Sequence, residues 1–217
     1  MATLAEFATI DNSLPFYVFN THYDERGLQS RTESSKLILK HVDELIAKAL
    51  STSNSPPLVF LLGDLNSPDT EDGYRTLTGW RYVSDKGDLR LRSRKGASFL
   101  DARHELHTRI AGVNAAQLLG ARYGDWLATF TGFGEHDHRN VIDVVLAADT
   151  GAVGAIHGGK QIDTEGADQK VMKGSTQTKW VVSRYGVVPN RFEGGFLVSD
   201  HRMVVATFKQ TIIGMPE

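Results

Sequence analysis

The sequence predicts one mixed α/β unit, and three stretches carry that expectation. Ser30 to Leu50 has the 3.6-residue apolar rhythm of a surface helix. Leu58-Val59-Phe60-Leu61-Leu62 is apolar throughout, as a strand covered on both faces should be. Strand-like patterns also stand near both ends, at Leu4 to Ile10 and at Val204 to Phe208. The chain has 217 residues, enough for one domain to bury most of its apolar surface, and no linker divides it. The expected domain is therefore the whole of residues 1–217.

Element by element, Leu4 to Ile10 alternates as a strand, and Asp11-Asn12-Ser13 is turn chemistry. Phe16 to Phe19 reads as a second strand, so a hairpin opens the chain. In the helix that follows, Leu37, Ile38, Val42, Leu45, Ile46 and Ala49 form the expected buried face. Lys36, Lys40, Asp43, Glu44 and Lys48 form the wet one. Ser51 to Pro57 stops it. Gly73 to Leu77 and Ala111 to Gly120 read as short helices, and Asp88 to Lys95 as an exposed connection. Ala128 to Phe133 and Val141 to Ala147 are expected strands, separated by the polar loop Gly134 to Asn140. Residues 157 to 178 read as a long surface insertion. Trp180 to Val182 and Val204 to Phe208 close the chain as strands.

Composition narrows the chemistry. A hydrophobic content of 41% with 23% charged residues fits an ordinary globular protein rather than a disordered one. The net charge of −2 gives no general attraction to nucleic acid or anionic membrane. Without cysteine there are no disulfides, zinc–thiolate sites or thiol nucleophiles. No signal peptide is visible at Met1 to Phe7, and no window approaches the roughly 18 apolar residues of a membrane span. No membrane span and no obligate protein partner are inferred from the sequence, and the compartment stays open.

Polar chemistry gathers where apolar runs end. Gly63-Asp64-Leu65-Asn66 follows the Leu58 to Leu62 strand, and Phe19-Asn20-Thr21-His22 ends the second strand. Asp143 appears in the middle of the apolar run Val141 to Val145, where a buried carboxylate needs a partner. His201, in Leu197-Val198-Ser199-Asp200-His201, is the expected partner, at a point where a strand gives way to a loop. An aspartate that holds an imidazole in one tautomer prepares a general base. Carboxylates, an amide and an imidazole at strand ends suit metal-assisted phosphoester hydrolysis. Taken singly, Asp64 also fits an Asx turn, and His22 a structural histidine.

In order, these words resemble the endonuclease/exonuclease/phosphatase superfamily of metal-dependent phosphoesterases. Phe16-Tyr17-Val18-Phe19-Asn20-Thr21-His22, Thr129-Phe130-Thr131-Gly132-Phe133 and Pro189-Asn190-Arg191-Phe192 are similar to its microbial and fungal branch. The resemblance implies a four-layer α/β sandwich, with two mixed sheets face to face and helices outside. It implies His201 as the base that activates water, Asp143 as its orienting partner, and Asp64 as an aid to nucleophile or leaving group. Asn66, His22 and Asn20 would bind the phosphate ester, and Asp200 would lie near a magnesium or manganese ion. The family's upstream strands, including the one with its principal metal-binding glutamate, have no counterpart here, and Glu6 is not a substitute for that residue. The expectation is therefore an N-terminally truncated domain that exposes apolar surface. Its activity would be that of a phosphodiesterase, nuclease or phosphatase, or that of an impaired remnant.

Other candidates are weaker. His104-Glu105-Leu106-His107 lacks the spacing that puts two imidazoles on one helical face. His136 and His138 fit a polar loop, and Arg90, Arg92, Arg94 and Lys95 a solvated basic face. Gly158-Gly159-Lys160 lacks phosphate-loop spacing.

Overall fold

The structure is a computed structural model that describes residues 1–10, 15–53, 56–82, 90–92, 97–109, 122–123, 128–133, 140–150, 177–190 and 194–213. The opening hairpin forms as expected: β1 (Ala2–Ala8) pairs antiparallel with β2 (Pro15–His22). Next come α1 (Leu28–Ser53), β3 (Leu58–Asp64) and α2 (Asp72–Thr78). β4 (Trp80–Tyr82) and β5 (Arg90–Arg92) pair with each other in a small separate sheet. The middle of the expected exposed connection is thus a strand; the charge of Arg90 and Arg92 hid its pairing. β6 (Phe99–Asp101), α3 (Ala102–Arg109) and β7 (Arg122–Tyr123) precede β8 (Asp143–Ala148). The chain then runs into β9 (Gln177–Val188) and β10 (Met203–Ile213).

β1-β2-β3-β8-β6 form a mixed five-stranded sheet, and β10-β9-β7 a three-stranded one. Side chains alternate across each strand, so the larger sheet has two apolar faces. Phe19, Val59, Leu61, Val144 and Leu146 pack against Ile38 and Val42 of α1 and Tyr74 and Leu77 of α2. Phe16, Leu58, Phe60, Leu100 and Ala147 face Trp180 and Phe208 of the second sheet. Val182, Tyr185 and Val187 extend that layer beside Ala102. Val182 and Tyr185 share a face, although strict alternation would separate them, because a bulge opposite Thr207/Phe208 shifts the phase at Ser183. The described residues therefore stack as helices, sheet and second sheet.

Several expectations needed correction. Leu37 is exposed, and the buried stripe of α1 is Arg31, Ser35, Ile38 and Val42. Arg31 and Ser35 are polar but partnered: the two terminal nitrogens of Arg31 donate to the carbonyls of Asp24 and Glu25 and to the Glu71 carboxylate, while its buried Nε has no partner. Ser35 bonds Tyr23 and Gly73. Partnered polar groups are buried without penalty, and an apolar-period reading does not register them. Ala128 to Phe133 is not a strand; only Phe130 makes bridges, to Asn140 and His201. Asp143 stands at the first position of β8 rather than in mid-strand. His201 precedes β10 rather than following a strand. The turn at 11–13, the helix over 111–120, the loop over 134–139 and the insertion over 157–176 lie outside the described residues, as do His136, His138, Arg94, Lys95 and Gly158 to Lys160.

β1 is an edge strand with Leu4 and Phe7 exposed, and Met203 and Val205 of β10 are also exposed. No helix among the described residues is long and apolar enough to cross a membrane.

Candidate active site

Strand register assembles the site. In the parallel β2–β3 pair His22 stands opposite Asp64, and in the antiparallel β3–β8 pair Asp64 stands opposite Asp143. The three residues form one row across three strands. Alternation puts them on the face that also carries Phe16, Phe60, Val145 and Ala147, at its C-terminal end for β2 and β3. Asn20, two residues before His22, shares that face and is exposed. Glu6 pairs with Tyr17, about 17 Å back along the hairpin from His22 at the usual rise per residue, and stays outside the site.

The Asp64 loop is held from below. Gly63 has φ +131°, and a Cβ there would lie 1.9 Å from the Thr21 carbonyl oxygen, so only glycine fits beside β2. Asp64 Oδ1 accepts the Asn66 amide at 2.7 Å, the Asx turn that the sequence allows. Asn66 takes a left-handed φ of 45° and donates its side-chain amide to the Tyr23 carbonyl at 2.9 Å. That direction differs from the expected one, since the amide points first at backbone. The turn still leaves Asp64 Oδ2 facing the site. It lies 3.4 Å from His22 Nε2 and 3.8 Å from His201 Nε2.

His201 arrives from the loop before β10. Its Nδ1 lies 2.9 Å from Asp143 Oδ2. An ionised carboxylate has only acceptors, so Nδ1 carries the proton and the Nε2 lone pair of the neutral ring turns toward Asp64. Phe130 packs on the imidazole with ring centres 5.0 Å apart. Burial works against the imidazolium, but the hydrogen bond and charge of Asp143, with the charges of Asp64 and Asp200, raise His201 above its ordinary value. Burial also raises Asp64. The Asn66 amide opposes that rise, the Asp143 charge adds to it, and both histidines oppose it.

Asp64, Asp143 and His201 offer ligand atoms within 4.8 Å of one another, a grouping that could hold a metal ion. Two carboxylates and an imidazole lone pair converge there, and a proton or a divalent cation would neutralise them. The donor set fits a hard to borderline ion that keeps part of its water shell. Asp200 is not in that trio, although its charge reaches His201. The structure thus brings together His201, Asp143, Asp64 and His22, with Asn20 on the same face and Asn66 immediately beneath. The sequence reading gave no role to Thr129, Thr131 or Asn190, which bond the segments bearing the dyad. Their signal was their place in two of the family-like words, Thr129 to Phe133 and Pro189 to Phe192.

No family model matches this chain, and no curated protein matches it significantly. Solved structures do resemble it. An endonuclease/exonuclease/phosphatase from Bacteroides vulgatus superposes with a TM-score of 0.58 at 18% identity, covering 97% of this chain and 55% of that one. Mannosyl-6-phosphatase of Bacteroides thetaiotaomicron gives 0.57 at 18%, covering 96% and 56%. A protein of unknown function from Enterococcus faecalis gives 0.56 at 18%, covering 97% and 56%. The fold is that of the endonuclease/exonuclease/phosphatase proteins. The chain spans little more than half the length of these structures.

Proposed function

We propose that this chain carries catalytic residues of a metal-dependent phosphoester hydrolase, of phosphodiesterase, nuclease or phosphatase type. One observation carries the reading: a histidine bonded through Nδ1 to a carboxylate at 2.9 Å, whose other nitrogen faces a second carboxylate in the same cross-strand row. In this reading His201 Nε2 takes a proton from the attacking water, and Asp143 holds the ring in that tautomer and balances the imidazolium. Asp64, raised by burial, assists the nucleophile or the leaving oxygen at the centre of the row. His22 and Asn20, both exposed on the same face, bind the phosphate ester, and Asn66 uses the amide N–H left over from its bond to the Tyr23 carbonyl to join them. Asp64 and Asp200 would hold a magnesium or manganese ion, which when bound neutralises charge on the phosphate oxygens.

The test is hydrolysis of bis-p-nitrophenyl phosphate and p-nitrophenyl phosphate with Mg²⁺ or Mn²⁺, beside His201→Ala and Asp64→Asn. Activity that survives both substitutions rejects these roles. A second reading, a remnant that binds weakly and does not turn over, is favoured by the ligand group itself: among the described residues it contains no glutamate. Calorimetry with Mg²⁺ separates the two, since a remnant shows no measurable site.

A further inference from the structure

We infer that Asn190 and Thr129 are the positioning residues of the His201–Asp143 pair: Asn190 fixes the backbone that carries the imidazole, and Thr129 fixes that of the carboxylate. Asn190, only 6% exposed, lies two residues after β9. Its amide nitrogen stands 2.7 Å from the Ser199 carbonyl, 3.2 Å from that of His201 and 3.1 Å from Thr131 Oγ1. Two hydrogens shared among three acceptors make it a hub rather than a single bond. The carbonyl between those two, on Asp200, accepts from Thr131 Oγ1 at 2.9 Å and from the Thr131 backbone at 2.7 Å. Three successive carbonyls ending at His201 are thus captured, and Ser199 Oγ accepts the His201 amide at 3.0 Å.

Thr129 does the same for the other partner. It is fully buried, and its Oγ1 accepts the backbone amides of Ile142 and Asp143, each at 3.0 Å. Its carbonyl accepts the amide of Arg202, next to His201, at 2.7 Å. Residues 129–132 therefore form a strut between the start of β8 and the His201 loop. Neither Asn190 nor Thr129 touches the reacting atoms. Each acts through the pair, and a displacement of about 1 Å in such a pair costs on the order of 100-fold in rate.

Thr129→Val and Asn190→Leu remove the polar atoms and keep the volumes. This inference rests on the hydrolase reading for its kinetic arm only. There, kcat on the p-nitrophenyl esters should fall about 10–100-fold with KM little changed, the size usual for groups that orient a catalytic one. The other arm needs no activity. In protein labelled with ¹⁵N-histidine, the downfield Nδ1–H resonance of His201 should be present in the wild type and absent in Asp143→Asn. It should weaken or vanish in both shape-preserving variants. An unchanged resonance in a variant that still melts cooperatively overturns the proposal, as does unchanged kcat. If Asn190→Leu does not fold, Thr129→Val carries the test alone. An inactive wild type in which both substitutions abolish the resonance rejects the hydrolase reading and leaves the positioning role standing.

Discussion

The two faces of the five-stranded sheet come from the same three strands and have opposite chemistry. Toward α1 and α2, Val59, Leu61 and Leu146 are wholly dry. Toward the other face, at one end, the strands present His22, Asp64 and Asp143 in a row. The first face is stabilised chiefly by burial, at about 25 cal/mol per Å² of apolar surface removed from water. The second gathers charges that oppose one another, and it holds its shape because turns, hydroxyls and amides fix the backbone behind each side chain. The dry face and the candidate site thus sit back to back, one residue apart in register. A slip of one position would put Gly63 where Asp64 stands.

Substitutions on the two faces should therefore fail in different ways. The largest effect expected is on rate. His201→Ala should lower kcat about 10²- to 10⁴-fold, the usual contribution of a positioned base, while urea unfolding stays close to wild type. Leu61→Ala should do the reverse. It should cost about 2–5 kcal/mol in urea denaturation, from lost transfer energy and a cavity, and leave kcat per folded molecule nearly intact. A Leu61→Ala variant that loses chemistry but not stability would break the division between the faces.

Asp64→Asn sharpens it further. The folded protein holds the Asp64 carboxyl above its ordinary value, so ionisation there opposes folding, and the amide keeps the Oδ1 acceptor for Asn66. The variant should lose activity and melt no lower than wild type, as active-site substitutions that relieve stored repulsion do. Differential scanning calorimetry beside the ester assay checks both signs. The pH dependence follows from His201. Its folded pKa lies above 6.5, so its contribution to stability is complete below 6.5 and is lost as pH rises through the higher folded value. The urea midpoint should fall over that interval in wild type and less in His201→Ala. The smallest effect belongs to the outer side of α1. Leu37→Ala, at a site 55% exposed, should change stability by no more than about 0.5 kcal/mol, whereas Ile38→Ala, one residue on, should cost several times that.

Much of the frame was legible in advance. The hairpin, the long helix, the apolar β3 and the short α2 follow from periodicity and turn chemistry, because those signals are local. The residues that the structure brings together were also singled out, since carboxylates and histidines at the ends of apolar runs need partners when they are even partly buried. What escaped was polar and buried together. Arg31 and Ser35 look like surface residues until their partners arrive from distant loops. Thr129 reads as a residue of an expected strand and Asn190 as part of a family-like word until they meet the backbones of Asp143 and His201. The Arg90 to Arg92 strand was missed because pairing, not hydrophobicity, makes it a strand.

The sequence by itself determined which residues are candidates for the chemistry and where the hairpin, the long helix and β3 lie, for side-chain type and spacing are written in one dimension. Only the tertiary structure decided that His22, Asp64 and Asp143 share one row, and that His201 meets Asp143 while its second nitrogen faces Asp64. Those relations depend on strand register and on contacts between segments as far as 137 residues apart. No local preference encodes them. They exist because burying both faces of the sheet at once leaves one pairing of its strands.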